Sequence, residues 1–449
     1  MAGTLAIHGG TPVRTKPWPK WPVYDNTEEQ ALIDTLRSGV WGVGGKRKTE
    51  LEQKYAAMHN AKYAISCCNG TVALQIAMIA GGLQPGDEVI TSPYTFMASG
   101  LAALTVGVVP VFVDVEPGTH NLDPTKIEAA ITPRTRGILP VHIGGRPSDM
   151  DGIMLIAKKH NLIVIEDACQ AWTAEWRGVP VGSIGLGGGF SFQSSKNIAA
   201  GEGGIILTNN EAMYQRCWSY HNCGRKQGGE WYDHDFPGLN YRMSEFNAAV
   251  LLAQIARLPQ MQATRRESMA ALHKQMQGMP GILTPTDDAR VTAHGCHIYM
   301  LRLDRKELSV DKMQFIKALN AEGVPAGPGY TRALYREGFW NWYGERPTGG
   351  GTKMKDHWAI PYSEYKCPVT EELCATTIWI KQDVLLAGAS EMGDIVRAFE
   401  KVSSAARAGS LRRADRWRLA SASLRPLHFA ASRHQRRRSL SRSAIHNCC

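Results

Sequence analysis

The chain has 449 residues, of which 43% are hydrophobic and 20% are charged. This composition allows a large buried core and excludes both a fully disordered chain and a collagen-like fibre. The 51 Lys and Arg residues exceed the 41 Asp and Glu residues and give a formal net charge of +10, which is typical of nucleic-acid-binding proteins. However, positions 402–449 contain eleven Arg and a single acidic residue, Asp415, so the body of the chain is neutral.

From residue 60 onwards, short β-branched runs alternate with longer helical stretches. The predicted strands are Tyr63–Cys68, Glu88–Thr91, Val109–Val115, Gly137–Val141 and Leu162–Glu166. The helices predicted between them are Val72–Ala80, Met97–Leu104, Lys126–Ile131 and Asp151–His160. This order predicts an α/β fold with a mainly parallel sheet, whose ligands collect at the carboxyl ends of the strands.

The pattern changes after about residue 244. Ser244–Gln277 is rich in Ala, Leu, Gln, Met and Arg, which predicts long connecting helices with Pro259 as a candidate break point. A smaller α/β segment follows, and the Gly-rich stretch Tyr343–Lys355 predicts an exposed loop. The elements predicted in this segment are the strand His297–Leu303 and the helices Asp311–Glu322 and Gly393–Lys401.

These patterns divide the chain into three predicted parts. Residues 1–250 form an N-terminal arm and a large domain, and residues 251–401 form connecting helices and a small C-terminal domain. Residues 402–449 are an Arg-, Ser- and Ala-rich tail without a sustained apolar period. We interpret this tail as disordered or as the product of a shifted reading frame.

The ten cysteines include two adjacent pairs but no CxxC pair. The N-terminus lacks a basic flank followed by an apolar core, and no apolar run reaches membrane-spanning length. We therefore expect reduced thiols in a cytoplasmic protein.

A first candidate site lies in Cys67-Cys68-Asn69-Gly70-Thr71, where a predicted strand meets a helix. Gly70 lets the backbone approach a ligand closely, Thr71 offers a hydroxyl, and the free amides of the helix point at an anion. An ordinary capped turn fits the same residues.

A second candidate site is Val164–Gln170, a predicted buried strand that ends in acids and an amide. A carboxylate at the end of an apolar strand is costly unless it meets a cation or a hydrogen-bond donor. A protonated pyridine nitrogen would be such a partner, whereas a helix-capping Asp is the structural alternative.

A third candidate site is Gly189–Asn197, which places Lys196 on a hydroxyl-rich loop before Gly201-Glu202-Gly203-Gly204. A desolvated lysine can form a Schiff base with an aldehyde cofactor, although an isolated Lys is more often a solvated surface residue. A phosphate-binding turn, a carboxylate for a ring nitrogen and a Schiff-base lysine are together what pyridoxal phosphate requires.

With these motifs the chain resembles the DegT/StrS family of pyridoxal-phosphate-dependent aminotransferases, which have the fold type I of aspartate aminotransferase. The resemblance runs from about residue 5 to residue 401. Its motifs include Gly9–Val13, Ser92–Phe96, Glu166–Gln170, Ser194–Asn197 and Gly238–Met243.

The resemblance implies a role for each matching residue. Lys196 would hold the cofactor as a Schiff base and move the substrate proton, and Asp167 would pair with the pyridinium nitrogen. The other cofactor-binding residues would be Gly70, Thr71 and Ser191 at the phosphate, Phe96 on the ring face, Gln170 near the phenolic oxygen, and Asn240 at the phosphate of the neighbouring subunit. The implied assembly is a homodimer with shared active sites, and we expect no metal ion, nucleic acid or membrane as a partner.

Two further groups of residues are weaker candidates. His294-Gly295-Cys296-His297 crowds potential metal ligands but lacks the spaced second pair of a structural zinc site, so we interpret its histidines as core or surface residues. His221 precedes the Asn240 segment and is a candidate for the substrate pocket.

The reaction implied by the resemblance moves an amino group from Gln or Glu to the ketone of a nucleotide-linked sugar or a cyclitol. The residues Gly9–Val13 and the sequence around Lys196 favour the branch of the family that acts on ketocyclitols or forms aminohydroxybenzoate. One alternative is a sugar dehydratase of the same fold, against which Lys196 argues because a His typically replaces the lysine there. A remote alternative is a nucleic-acid-binding protein with a basic tail, which the neutral body disfavours.

Overall fold

The structure, a computed structural model, describes residues 4–340 and 362–411. The loop predicted at Tyr343–Lys355 and positions 412–449 of the predicted tail lie outside these residues. The described strands are β1 (Tyr63–Cys67), β2 (Glu88–Thr91), β3 (Val109–Phe112), β4 (Thr135–Leu139), β5 (Ile163–Asp167), β6 (Glu175–Trp176), β7 (Val179–Pro180), β8 (Gly187–Ser191), β9 (Gly204–Thr208), β10 (Ile282–Leu283), β11 (Val291–Ala293), β12 (Ile298–Leu303), β13 (Ala326–Gly327) and β14 (Thr377–Lys381).

The strands form three sheets. The largest has the order β1-β9-β8-β5-β4-β2-β3, and all its neighbours are parallel except β9, which runs antiparallel to β1 and β8. The strands β10-β12-β14-β13 form an antiparallel sheet of four, and β11-β6-β7 form a small one of three. The predicted α/β fold with a mainly parallel sheet is confirmed.

The described helices are α1 (Asn26–Ser38), α2 (Arg47–Met58), α3 (Gly70–Gly81), α4 (Met97–Thr105), α5 (Met150–His160), α6 (Glu211–His221), α7 (Glu245–Met276), α8 (Lys312–Ala321), α9 (Pro368–Thr376) and α10 (Met392–Arg407). The helix predicted at Lys126–Ile131 is instead two short 3-10 turns, Pro124–Lys126 and Glu128–Ala130. Within the described ranges, no helix combines the length and the apolar character that a membrane span requires.

Helix α7 runs without interruption through Pro259, so this residue does not break the helix as the sequence suggested. A proline inside a helix removes one hydrogen bond and costs about 3 kcal/mol. The side chains beside it, Leu258 and Met261, are buried in the apolar core, and this packing along the helix outweighs the cost. The boundary predicted at residue 250 falls inside this helix. Its side chains pack both in the core of the large domain and in the core of the C-terminal part.

The C-terminal part has an apolar core of its own, built by α7, α8, α10, β12 and β14. Helix α10 passes the predicted boundary at Lys401, and Val402, Ala405 and Leu411 are buried in this core. The tail therefore does not begin at residue 402, because the apolar spacing of three or four residues along α10 continues beyond Lys401. Residues up to Leu411 form one compact unit.

Candidate active site

A cleft of about 800 Å³ lies at the carboxyl ends of β5 and β8, beside the beginning of α3. Parallel strands place the residues that follow them at one edge of the sheet, where ligands of such folds bind. The structure brings seven of the eight predicted site residues to this cleft, namely Gly70, Thr71, Phe96, Asp167, Gln170, Ser191 and Lys196.

The first turn of α3 forms one end of the cleft. Asn69 caps the helix by accepting the Val72 N–H at 2.9 Å, which leaves the amides of Gly70 and Thr71 without helical partners. A Cβ on Gly70 would lie 2.7 Å from Cβ of Ser191, so only glycine lets this helix approach the end of β8 so closely. These amides and the hydroxyls of Thr71 and Ser191 form a cradle for an anion such as a phosphate.

Asp167 is the last residue of β5 and is only 6% exposed. Its carboxylate accepts hydrogen bonds from the Ser99 hydroxyl at 2.7 Å and from the Cys169 N–H at 3.2 Å. Within residues 4–340 and 362–411, no Lys, Arg or His nitrogen lies within 4.0 Å of it. A buried carboxylate with only neutral donors is suited to a cationic ring nitrogen.

Ser99 is a site residue that the sequence motifs did not identify. It is buried in α4, and its hydroxyl lies 2.8 Å from the Thr95 hydroxyl, so two hydroxyls form a chain that ends on Asp167. The spacing of four residues between Thr95 and Ser99, directly after the Ser92–Phe96 motif, is the signal that could have indicated this pair.

Lys196 lies half-buried on the loop between β8 and β9 and faces the same cleft. Burial lowers the pKa of its ammonium group, while Cys169 and Asp167 act in the opposite direction. A lower pKa increases the fraction of neutral amine, which is the form that attacks an aldehyde. The next residue, Asn197, anchors the loop because its amide donates to the Gly295 carbonyl at 2.7 Å.

The C-terminal part contributes His297, Tyr330 and Trp379 to the cleft, and the sequence motifs identified none of them as site residues. The Gln170 side chain donates to the Tyr330 hydroxyl at 3.3 Å and accepts the Gly144 N–H at 2.8 Å. Burial lowers the pKa of His297 well below its ordinary value, so the neutral ring donates from Nδ1 to Asn197 Oδ1 at 2.9 Å. No local motif indicates these residues as part of the cleft, because His297 lies 101 positions beyond Lys196 and the other two lie further along the chain.

Two predicted site residues, Phe96 and Asn240, are largely exposed to solvent in the single chain. Phe96 lines the cleft with 53% of its surface exposed. Asn240 does not line the cleft of its own chain; it is exposed and forms a backbone bridge with Asn222.

Of the other histidine candidates, only His297 lines the cleft, whereas His221 and His294 line separate cavities. His221 lines another cavity, beside Lys48 and Arg242, where burial lowers its pKa to about 4. His294 and Cys296 line a further cavity, whereas His297 faces the cleft. In the part of the chain that the structure describes, no cluster of three or more His, Cys, Asp or Glu side chains could hold a metal ion.

The cleft therefore combines an anion cradle, a buried carboxylate without a cation and a lysine with a lowered pKa. Together with the large mixed sheet, these features define a pyridoxal-phosphate enzyme of fold type I. A model described as the DegT/DnrJ/EryC1/StrS aminotransferase family matches residues 22–396, and the chain belongs to this family.

Similar proteins support this assignment over most of the chain. The L-glutamine:2-deoxy-scyllo-inosose aminotransferase of Streptomyces paromomycinus is 34% identical over 420 residues, which cover 90% of this chain and 98% of that protein. A crystal structure of 3-amino-5-hydroxybenzoic acid synthase has a TM-score of 0.77 and 32% identity, with coverage of 87% of this chain and 100% of that chain.

A structure of NtdA from Bacillus subtilis carries the bound cofactor PMP. It has a TM-score of 0.70 and 25% identity to this chain, with coverage of 87% of this chain and 86% of that chain. The protein is accordingly a pyridoxal-phosphate-dependent aminotransferase, as the sequence motifs predicted.

Proposed function

We propose that the protein transfers the amino group of glutamine to the ketone of a cyclitol. The observation that carries this proposal is the joint presence of Lys196 and the unpaired carboxylate of Asp167 in one cleft. The choice of donor and acceptor is supported by the 34% identity to an L-glutamine:2-deoxy-scyllo-inosose aminotransferase over 90% of the chain.

Each residue of the cleft has a separate task in this reaction. When bound, pyridoxal phosphate supplies an electron sink for the carbon that loses its proton. Gly70, Thr71 and Ser191 would hold its phosphate, and Asp167, kept in place by Ser99, would face its ring nitrogen. Lys196 Nζ takes the proton from the donor carbon and later returns a proton, acting as base and then as acid.

In the test, the holoenzyme is incubated with every combination of a donor, Gln or Glu, and an acceptor from a panel. Mass spectrometry then detects the amine products. The acceptors are ketocyclitols and nucleotide-linked ketosugars. We expect the fastest amine formation with glutamine and a ketocyclitol. Turnover of nucleotide-linked ketosugars alone would contradict the acceptor class, and the absence of any amine product would contradict the proposed function.

A second candidate function is the formation of aminohydroxybenzoate, which the similarity to the synthase structure favours. A sugar dehydratase is disfavoured, because Lys196 occupies the position at which such enzymes typically lack lysine. Incubation with the synthase's substrate in the same test distinguishes the two functions by the aromatic absorbance of the product.

We also propose that the active enzyme is a homodimer in which Asn240 completes the cleft of the neighbouring subunit. The support is its exposure and its position outside the cleft of its own chain. Mixed dimers of Lys196→Ala and Asn240→Asp subunits contain one cleft with both native residues, so mixing two weakly active variants should restore activity. If mixing restores nothing although mixed dimers form, the shared site is wrong.

The proposed location is the cytoplasm. The eight cysteines among the described residues are free, which supports a compartment that keeps thiols reduced. The proposal is tested by fractionating cells of the source organism and locating the protein with an antibody.

A further inference from the structure

A second cavity, of about 390 Å³, lies behind the active-site cleft, and we call it the rear cavity. Its wall towards the cleft consists of two hydrogen-bonded loops, Gly144–Arg146 and Gly295–His297. The Gly295 N–H donates to the Gly145 carbonyl at 2.7 Å, and the His297 N–H donates to the Gly144 carbonyl at 3.0 Å. Arg146 and Cys296 line the rear cavity, whereas the adjacent His297 lines the cleft.

Arg146 is the unusual residue of the rear cavity. It is only 7% exposed, and its Nη2 atom has no hydrogen-bond acceptor. Within the two described ranges, no carboxylate oxygen lies within 4.0 Å of its guanidinium nitrogens. A buried guanidinium without a hydrogen-bond acceptor is unfavourable, and an anion bound in the cavity would supply that acceptor.

Arg14 provides an internal comparison. It is buried to a similar extent, with 5% exposure, but its guanidinium contacts carboxylate oxygens of Glu391 and Asp394 at 2.6 Å each. Arg265, which is fully buried, has no carboxylate within 4.0 Å among the described residues but donates to the Asn197 carbonyl and to two oxygens of Gln382. Arg146 differs from both, because its guanidinium has neither an ion pair nor a hydrogen bond among the described residues.

Other donors face the same space. Arg266 lines the rear cavity and is held by the His294 carbonyl at 3.1 Å and the Thr173 carbonyl at 2.6 Å. The His294 ring accepts the Cys296 N–H at Nδ1 at 2.8 Å, so the neutral ring carries its proton on Nε2. An anion next to Arg146 would thus meet a second cation and a neutral N–H donor in the wall of the cavity.

The acidic residues of the rim have partners of their own. The Asp288 carboxylate is paired with the Arg290 guanidinium at 2.9 Å, and Asp287 lies 3.1 Å from the His273 ring. Burial lowers the pKa of the Arg146 guanidinium, and the nearby carboxylates of Asp288, Glu116 and Asp287 act in the opposite direction, although none of them lies within 4.0 Å of it. Their charges disfavour an anion that carries several negative charges. A singly charged carboxylate, which matches the planar fork of arginine, is the favoured ligand.

We propose that the rear cavity is a binding site for a small monocarboxylate, which is held through its two oxygens by Arg146. The volume suits a molecule of small-metabolite size, and the rear cavity shares no lining residue with the cleft. The site is separate from the aminotransferase chemistry, because the residues that line it include no lysine.

The experiment uses the holoenzyme, in which the phosphate cradle of the cleft is filled. Thermal unfolding is measured with sodium propionate, with propionamide as a neutral analogue, and with sodium chloride at equal ionic strength. We expect propionate at about 100 times its Kd to raise the Tm by roughly 3 °C, and propionamide and chloride to leave it unchanged. Equal stabilisation by all three additives would overturn the proposal, and so would the absence of any stabilisation by propionate.

Two variants locate the effect. Arg146→Met should abolish the propionate-dependent shift and raise the Tm in buffer without carboxylates, because the unpaired buried charge is removed. Arg146→Lys keeps the charge but loses the planar fork and should weaken propionate binding about tenfold. Arg136→Met, which removes an exposed arginine of β4, is the matched control and should retain the full shift. A propionate shift that survives in both Arg146 variants would show that the carboxylate binds elsewhere.

Discussion

The cleft and the rear cavity each contain a buried charge that forms no ion pair within 4.0 Å among the described residues. Asp167 ends β5, and Arg146 follows the neighbouring strand β4. Asp167 lies within a recognisable motif, whereas Arg146 belongs to none of the motifs that the sequence analysis found. The comparison teaches that a buried charge without an ion pair that also lines a cavity is a guide to a ligand site, whether or not a motif accompanies it.

The two sites differ in the chemistry around the charge. Asp167 shares its cleft with Lys196, whose lowered pKa favours the neutral amine that the proposed catalysis requires. In the rear cavity, burial raises the pKa of the Cys296 thiol to about 12 and lowers the pKa of His294 to about 3. At neutral pH neither group transfers protons readily, so the rear cavity is equipped for binding and the cleft for catalysis.

The largest expected effect comes from removing the reactive amine of the cleft. Lys196→Ala should lower kcat at least about 10³-fold, because the covalent anchor and the acid–base group are both lost. Steady-state transamination measures the loss, and borohydride reduction of the native holoenzyme should attach the cofactor to the peptide that contains Lys196. A label on another lysine would contradict the assignment, and propionate should still stabilise the variant.

Neutralising the buried carboxylate should have the next largest effect. Asp167→Asn keeps a hydrogen-bond acceptor for Ser99 but loses the negative charge, and we expect kcat to fall about 10²-fold. The cofactor absorbance spectrum and kcat measure the change. Arg146→Met is the matched variant in the other site and should leave kcat within about twofold; a similar loss in both variants would mean that the two sites are not independent.

A single substitution in the wall between the cleft and the rear cavity should weaken ligand binding at both sites. Gly145 has a φ of +91°, and a Cβ there would lie 2.8 Å from the Gln170 carbonyl oxygen and 2.9 Å from the Cys296 amide. Gly145→Ala should therefore cost about 2 kcal/mol of stability and weaken both cofactor and propionate binding. Urea unfolding and the two binding titrations measure these effects. Gly178→Ala, at a glycine of similar φ with no atom within 4 Å, separates the steric contribution from the backbone strain.

A smaller effect is expected from the hydroxyl that holds the carboxylate. Ser99→Ala removes the donor at 2.7 Å from Asp167 and should lower kcat about tenfold, in line with the loss of one hydrogen bond to a charged group. Ser99→Thr retains the hydroxyl and should recover part of the rate. An unchanged kcat in Ser99→Ala would show that Asp167 needs no support from α4.

The smallest effect on either site is expected from removing residues 412–449. A chain that ends at Leu411 should keep its kcat and its propionate shift, because the two sites are built from residues up to Trp379. A chain that ends at Lys401 is the contrast. It loses the buried side chains of Val402 and Leu411, each worth about 1.5–3 kcal/mol, so its Tm should fall clearly.

The agreement between the predicted and the observed elements differs between the two halves of the chain. In the first half, short strands and helices follow one another with clear periods, and their predicted bounds agree with the structure to within a few residues at β1, β2, α3 and α5. In the second half, Pro259 suggested a break in α7, but the helix continues through it because the neighbouring side chains pack in the apolar core. The family resemblance ends at about Lys401, which predicts the end of the fold there, whereas α10 continues to Arg407.

The amino-acid sequence by itself determined the order of the β-α units, the family, the cofactor and the residues of the cleft that belong to local motifs, including Lys196 and Asp167. The order of the β-α units is encoded locally, because hydrophobic period, glycine positions and strand ends depend on neighbouring residues, and the family and cofactor follow from the resemblance that the local motifs carry. Only the tertiary structure decided which distant side chains meet, such as His297 with Asn197 and Ser99 with Asp167. It alone also decided that Arg146 is buried without an ion pair among the described residues, because burial and charge pairing result from packing between segments far apart in the chain.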